Sequence, residues 1–119
     1  MNNDEKKNLL TTIYGLFNER KLAAVLEAMH PEVIWPNGME GGFVYGRKGI
    51  RDYWTRQWSM INPHVDPVNM VIEPDGKIRV RVHQRVKDLN DNILADTMVD
   101  HLYSFKDELV IGMEIQEVS

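Results

Sequence analysis

Along the second half of the chain, apolar and polar residues alternate with a period of two. In residues 77–88, Ile78, Val80, Val82, Gln84 and Val86 fall on one side, and Arg79, Arg81, His83, Arg85 and Lys87 on the other. Alternation of this length predicts a strand. Residues 93–105 are long enough to return beside it across the polar segment Leu89–Asn92, whose residue types suit a hairpin loop. The register that opposes Asp88 to Ile93 sets Arg85 against Asp96 and Arg81 against Asp100 on one face. On the other face it sets Val86 against Ala95, Val82 against Val99 and Val80 against His101. A slip of one residue would carry apolar side chains onto the charged face.

A second hairpin closes on Asp107 and Glu108, without the glycine usual in such a turn. Flush pairing then opposes Phe105 to Val110, Tyr103 to Gly112 and His101 to Glu114. The inner face continues through Val99, His101, Tyr103, Val110 and Glu114, with Gln84 beside them. The outer face collects the Arg/Asp pairs with Met98, Leu102, Leu109, Ile111, Met113 and Ile115. A sheet left wet on one side carries fewer apolar residues than this, so the outer face is expected to meet a partner as well.

The first half reads with helical spacing. Residues 4–20, capped by Asn3 or Asp4, place Leu9, Leu10, Ile13, Leu16 and Phe17 on one stripe. A shorter helix over 21–29 ends at His30-Pro31, because the residue before proline is pushed out of the helical region. Residues 32–35 read as a short strand stopped by Pro36, and 37–46, with four glycines, as a connection. Met39, Phe43 and Tyr45 in that connection are candidates for a lid over a ligand. A third helix over 46–60 carries Ile50, Tyr53, Trp54 and Trp58 at three- and four-residue steps. Asn62-Pro63 breaks it, and residues 65–73 form a strand closed by Pro74-Asp75-Gly76. Helices segregated from a strand meander make the chain α+β: three helices on a curved antiparallel sheet, enclosing a cone whose open end is a natural pocket.

Composition narrows the function. The 119 residues form one expected domain (1–119), 43% apolar and 27% charged, which argues against disorder. Fourteen basic and eighteen acidic side chains leave a charge of −4, and the strand arginines have Asp partners, so nucleic acid is not an expected partner. There is no cysteine, which excludes disulfides and thiol chemistry. The four histidines lack metal-ligand spacing, and Gly38–Gly46 lacks the Lys-Ser/Thr ending of a phosphate loop. No metal or other cofactor is expected. The polar N-terminus and the lack of a long apolar run point away from the membrane and to the cytoplasm.

Several segments together resemble the NTF2-like superfamily and, within it, the SnoaL-like (polyketide cyclase-like) group. They are the helical pair ending in His30-Pro31, the Val33–Trp35 strand, the junction from Tyr45 to Trp54, and the stretches Gln84–Asp88, Val99–Phe105 and Met113–Ile115. The group spans isomerases, dehydratases, epoxide hydrolases, cyclases and non-catalytic binding proteins, so the resemblance implies a fold and leaves the activity open. It also implies an acid/base His and Asp on the last two strands. His101 sits at such a position, and Glu114 stands where the shorter Asp is expected. The register independently opposes these two, and a carboxylate in an apolar pocket beside an imidazole suits acid–base work near neutral pH. The isomerase pattern, with an Asp base on the early strand, finds only Glu32 and Trp35 there, although Tyr14 is placed to donate to an oxyanion.

His101 and Glu114 are therefore the candidate catalytic pair. Tyr14, Phe17, Trp35, Trp54, Trp58, Gln84 and Tyr103 are the candidate ligand contacts, the rings favouring an apolar, flat molecule. The expected activity is cofactor-independent proton transfer on such a molecule. The alternatives are a non-catalytic apolar-ligand module or a dimeric scaffold with a filled pocket. Under any of these readings a homodimer through the outer sheet face is expected.

Overall fold

Asn2 starts the first helix. Its side chain accepts the Glu5 N–H at 2.8 Å while the Glu5 carboxylate accepts the Asn2 N–H at 3.2 Å, so two otherwise orphaned donors are satisfied reciprocally. The computed structural model describes residues 1–118. Helix α1 spans Asn3–Asn18 and α2 spans Leu22–Glu27. Strand β1 (Met29–Pro36) and the short β2 (Phe43–Tyr45) come next, then α3 (Gly46–Met60). Strands β3 (Ile61–Ile72), β4 (Ile78–Asp88), β5 (Ile93–Lys106) and β6 (Leu109–Glu117) complete the chain. None of these helices is long and apolar enough to cross a membrane.

The six strands form one sheet in the order β2-β1-β6-β5-β4-β3. The three helices cover one face of it, and the α+β architecture expected from the sequence is the one observed. The sheet is mixed rather than wholly antiparallel, because β1 runs parallel to β6. Leu10, Ile13, Val25 and Leu26 of the helices pack against Ile78, Val80 and Val82 of β4, all buried.

Several boundaries differ from the sequence expectation. Asn2, rather than Asn3 or Asp4, caps the first helix, which ends at Asn18. The second helix stops two residues sooner, and His30-Pro31 belongs to β1, since extended geometry is what a residue before proline prefers. The glycine connection contains β2, which pairs Phe43 with Pro36 and Tyr45 with Ile34. Finally, β3 begins at Ile61, directly after α3, and carries Pro63 and Pro67. It lies at the sheet edge, where a missing N–H need not cost a ladder bond.

From Ile78 to Val86, the expected β4–β5 register is observed, including Arg81 opposite Asp100 and Val80 opposite His101. At the loop end it shifts by one, so Ile93 faces Lys87 rather than Asp88. On the outer face Arg81 Nε donates to Asp100 at 2.9 Å. Arg85 faces Asp96 across the ladder, but its guanidinium donates to Asp66 of β3 at 3.0 Å, and Asp96 pairs with His83 instead.

The second hairpin closes as expected on Asp107 and Glu108, both at positive φ (54° and 66°), as a two-residue hairpin turn of this hand demands. Its ladder is not flush. Phe105 faces Val110, but Ser104 faces Gly112, which makes Ile111 the extra residue of a β-bulge. Beyond it every partner moves by one: Tyr103 faces Met113, Leu102 faces Glu114 and His101 faces Ile115.

Candidate functional site

Between the helices and the inner sheet face lies a cavity of about 250 Å³. Its wall includes Tyr14 and Phe17 of α1, Trp35 of β1, Trp54 and Gln57 of α3, Gln84 of β4, His101 and Tyr103 of β5, and Met113 and Ile115 of β6. Six of the seven expected ligand contacts, Tyr14, Phe17, Trp35, Trp54, Gln84 and Tyr103, therefore line one space. Trp58 does not. It packs behind the wall, stacked on Trp54 (5.8 Å, 26°) and under the Arg20 guanidinium.

The bulge decides what β6 contributes. Met113 and Ile115, expected outside, line the cavity, whereas Glu114, expected opposite His101, is exposed on the outer face and accepts a hydrogen bond from Gln116 at 3.4 Å. The inferred His101–Glu114 pair is not formed. A flush ladder would have buried the Glu114 carboxylate among apolar side chains while turning Met113 to water, and burying an unpaired charge is the costlier arrangement. The proposed lid is also corrected: Met39 and Gly38 form part of the cavity wall, but Phe43 and Tyr45 belong to β2 and are 51% and 67% exposed. No Asp, Glu, Lys or Arg is among the residues that line the cavity.

What His101 has instead of a carboxylate is a pair of tyrosines. Tyr103 donates its hydroxyl proton to the Tyr14 oxygen at 2.8 Å. The Tyr14 oxygen is in turn 2.8 Å from His101 Nδ1. The Tyr14 and His101 rings stack at 13° with centroids 5.9 Å apart, and Tyr103 meets both edge-on. The three residues are buried: Tyr103 is 1% exposed, Tyr14 3% and His101 7%.

This chain has a direction. Tyr103 gives its proton to Tyr14, so Tyr14 has its own proton to give, and Nδ1 accepts it. Reversing the order would leave the buried Tyr103 hydroxyl hydrogen without an acceptor among the described residues, which costs about 1–3 kcal/mol. An accepting Nδ1 assigns the imidazole proton to Nε2.

The electrostatics favour that neutral form. Burial holds His101 at a pKa of about 4, and the Asp100 carboxylate next to it in sequence only partly offsets this. Asp100 is directed to the outer face, where the hydrogen bond from Arg81, chiefly, keeps its carboxyl below the usual range. Burial likewise raises both tyrosines, for Tyr14 well above the ordinary phenol value. At neutral pH all three groups are uncharged.

Sequence reasoning named these three residues separately but not as a chain, because Tyr14 and His101 lie 87 positions apart. Gln57 was missed altogether, since nothing in the periodicity of α3 separates a polar cavity residue from a polar surface one.

Comparison with known proteins places this architecture. No curated protein matches the chain by sequence. Among solved structures, TerC co-crystallised with polyporic acid superposes with a TM-score of 0.82 at 22% identity, covering 96% of this chain and 92% of its own. An NTF2-like protein of unknown function from Burkholderia pseudomallei gives the same score and identity over 96% and 91%. SalBIII, an epoxide hydrolase/cyclase-like enzyme of pyran ring formation in the polyether salinomycin, also scores 0.82, at 15% identity over 98% and 93%. At such identities the likeness establishes the fold, which is NTF2-like. The model of the SnoaL-like domain matches residues 10–112, and the chain belongs to that family.

Proposed function

We propose that this protein is a cofactor-independent enzyme of the isomerase, cyclase or dehydratase type that acts on a small apolar molecule in the cavity, with His101 as the group that polarises or protonates a substrate oxygen. The observation that carries this reading is the buried sequence of hydrogen bonds from Tyr103 through Tyr14 to His101 Nδ1. It fixes the imidazole tautomer and orientation in advance, so Nε2–H meets a carbonyl or leaving oxygen without rearrangement. A neutral imidazole acting as a hydrogen-bond donor is an established catalytic strategy. Preorganised donors in a dry site are worth more than the same donors in water. The cyclase-type name of SalBIII, a fold neighbour, is compatible with this chemistry, since a substrate that carries its own nucleophile needs chiefly an activated oxygen.

The test uses tetralone, an aromatic ketone, as probe. Its carbonyl stretch, read by infrared difference spectroscopy, should move to lower frequency on binding to the wild type and stay at the unbonded value in His101→Phe. An unshifted stretch in the bound wild type overturns the assignment. In a screen of aromatic ketones and epoxides, His101→Phe should lower any turnover by about 10²–10⁴-fold.

A second reading has an observation of its own. Glu114, the expected base, lies on the outer face, which favours a binding module that holds an oxygenated apolar molecule without transforming it. Binding of tetralone with the same carbonyl shift, but no turnover of any screened compound, would decide for it.

We also propose a homodimer on the outer sheet face, now resting on Met98, 41% exposed and two residues from Asp100, with Leu94, 58% exposed, nearer the hairpin end of β5.

A further inference from the structure

The cavity has a second polar end, on residues for which the tyrosine–histidine chain has no use. Gln57 belongs to the wall, one helical turn before Ile61 begins β3. Its Nε2 donates to the Tyr53 hydroxyl at 3.1 Å, and that hydroxyl also accepts the Gly38 N–H at 3.0 Å. Its Oε1 is buried with no hydrogen-bond partner among the described residues. Turning the amide end for end gives Tyr53 an acceptor for its own proton and leaves an N–H unmet instead. In either orientation one amide atom lacks a partner, at a cost of about 1–3 kcal/mol if it stays so.

Gln84 brings a second amide to the same wall. It is the one polar residue in the inward series from Ile78 to Val86 of β4, where shape and burial would favour another valine. The register places it opposite Thr97, whereas His101 lies opposite Val80. The four residue steps from Val80 to Gln84 span about 13 Å along the strand. Val65, which pairs with Gln84, and Ile61 line the cavity from β3, and Gln57 lines it from the last turn of α3, which leads into Ile61. The rest of the wall includes the apolar Phe17, Trp35, Trp54 and Val86.

From this we infer that the ligand has two polar ends: an oxygen acceptor for His101 and, across a flat apolar body, a hydroxyl held by Gln57 and Gln84. A hydroxyl both donates and accepts, so it satisfies the unmet amide atom in either orientation. The volume sets the body. A 150 Å³ cavity holds a benzene and drug-sized ligands need roughly 300 Å³ or more, so about 250 Å³ corresponds to one or two rings. The substrate class is then a hydroxylated one- or two-ring ketone or cyclic ether, smaller than a steroid. The assignment of the hydroxyl end rests on the reading of the His101 end given above.

The experiment compares tetralone with the hydroxytetralone whose hydroxyl lies para to the carbonyl-bearing ring carbon, by calorimetry on wild type, Gln57→Leu and Gln84→Leu. The wild type should bind the hydroxylated compound at least about tenfold more tightly, since a site built to bond a hydroxyl penalises its absence. Each leucine variant should lose most of the preference, its ratio of affinities for the two compounds falling towards one. Equal affinity of the wild type for both compounds overturns the inference. So does a preference that survives in both variants. In those cases a retained carbonyl shift leaves the His101 assignment standing, whereas failure of both compounds to bind overturns the two together.

Discussion

His101 is a buried base kept neutral, and its protonation should be visible in stability as well as in chemistry. Its pKa is near 4 in the fold and near 6.5 in an unfolded chain. Between those values the unfolded state binds the extra proton, so stability must fall as pH drops through that window. The loss reaches about 3 kcal/mol by pH 4. Asp100 acts in the same direction at lower pH. Its folded pKa is depressed, so its contribution persists above the ordinary carboxylate range and is lost as pH falls below it. Urea titrations at a series of pH values should show the first decline in the wild type and a flatter profile in His101→Gln. An identical slope in the two proteins would refute the buried neutral imidazole. Tyr14→Phe removes the middle link and leaves the Tyr103 hydroxyl and His101 Nδ1 both unmet. A loss of about 1–3 kcal/mol is expected. Nitrogen NMR should report an Nε2–H imidazole in the wild type and a mixture of tautomers in the variant.

The elements were largely legible in the sequence, and the place where legibility failed is instructive. Strand β4 and the β4–β5 register followed from alternation and from the Arg81–Asp100 pair, because a half-buried antiparallel ladder penalises any slip. In β6 the same logic went astray by one residue. Val110, Met113 and Ile115 are the inward residues, and 110 and 113 differ by an odd number, so no regular strand can put them on one face. That change of phase is the bulge at Ile111, and the sequence concealed it, because Leu109, Ile111, Met113 and Ile115 also alternate without a break. Extending the turn register without it assigned Glu114 to the cavity. Substitution at the two neighbouring sites separates the arrangements. Met113→Asp should destabilise the protein by more than about 2 kcal/mol, as an unpaired charge forced into a core does. Glu114→Ala should stay within about 0.5 kcal/mol. The opposite ranking in chemical denaturation would restore the flush ladder. Another miss has the same local origin: Asn62-Pro63 reads as a break before the strand because nothing in the sequence announces that β3 is an edge strand, which tolerates a proline.

At the scale of the whole molecule, the sheet separates two kinds of chemistry. Its outer face is a ladder of ion pairs from Arg79 to Arg85, with exposed Leu94 and Met98 among them. With Met113 and Ile115 turned inward, that face is less apolar than the sequence implied, and the proposed homodimer depends on fewer side chains. Sedimentation equilibrium at micromolar concentration should show a dimer for the wild type and a monomer for Met98→Asp. A monomeric wild type ends that proposal.

The inner face, by contrast, presents no charged side chain to its cavity, and this has a kinetic meaning. An uncharged ligand approaching an uncharged site feels no long-range field, so its encounter with the protein is unsteered and indifferent to ionic strength. Association and dissociation rates of tetralone should therefore stay level between about 0.05 M and about 0.5 M salt, over which the Debye length shrinks severalfold. Anionic compounds of the same shape would meet no counter-charge inside and be excluded by their own hydration. On the proposed reading, entry to the cavity is sorted by whether a compound can leave water behind.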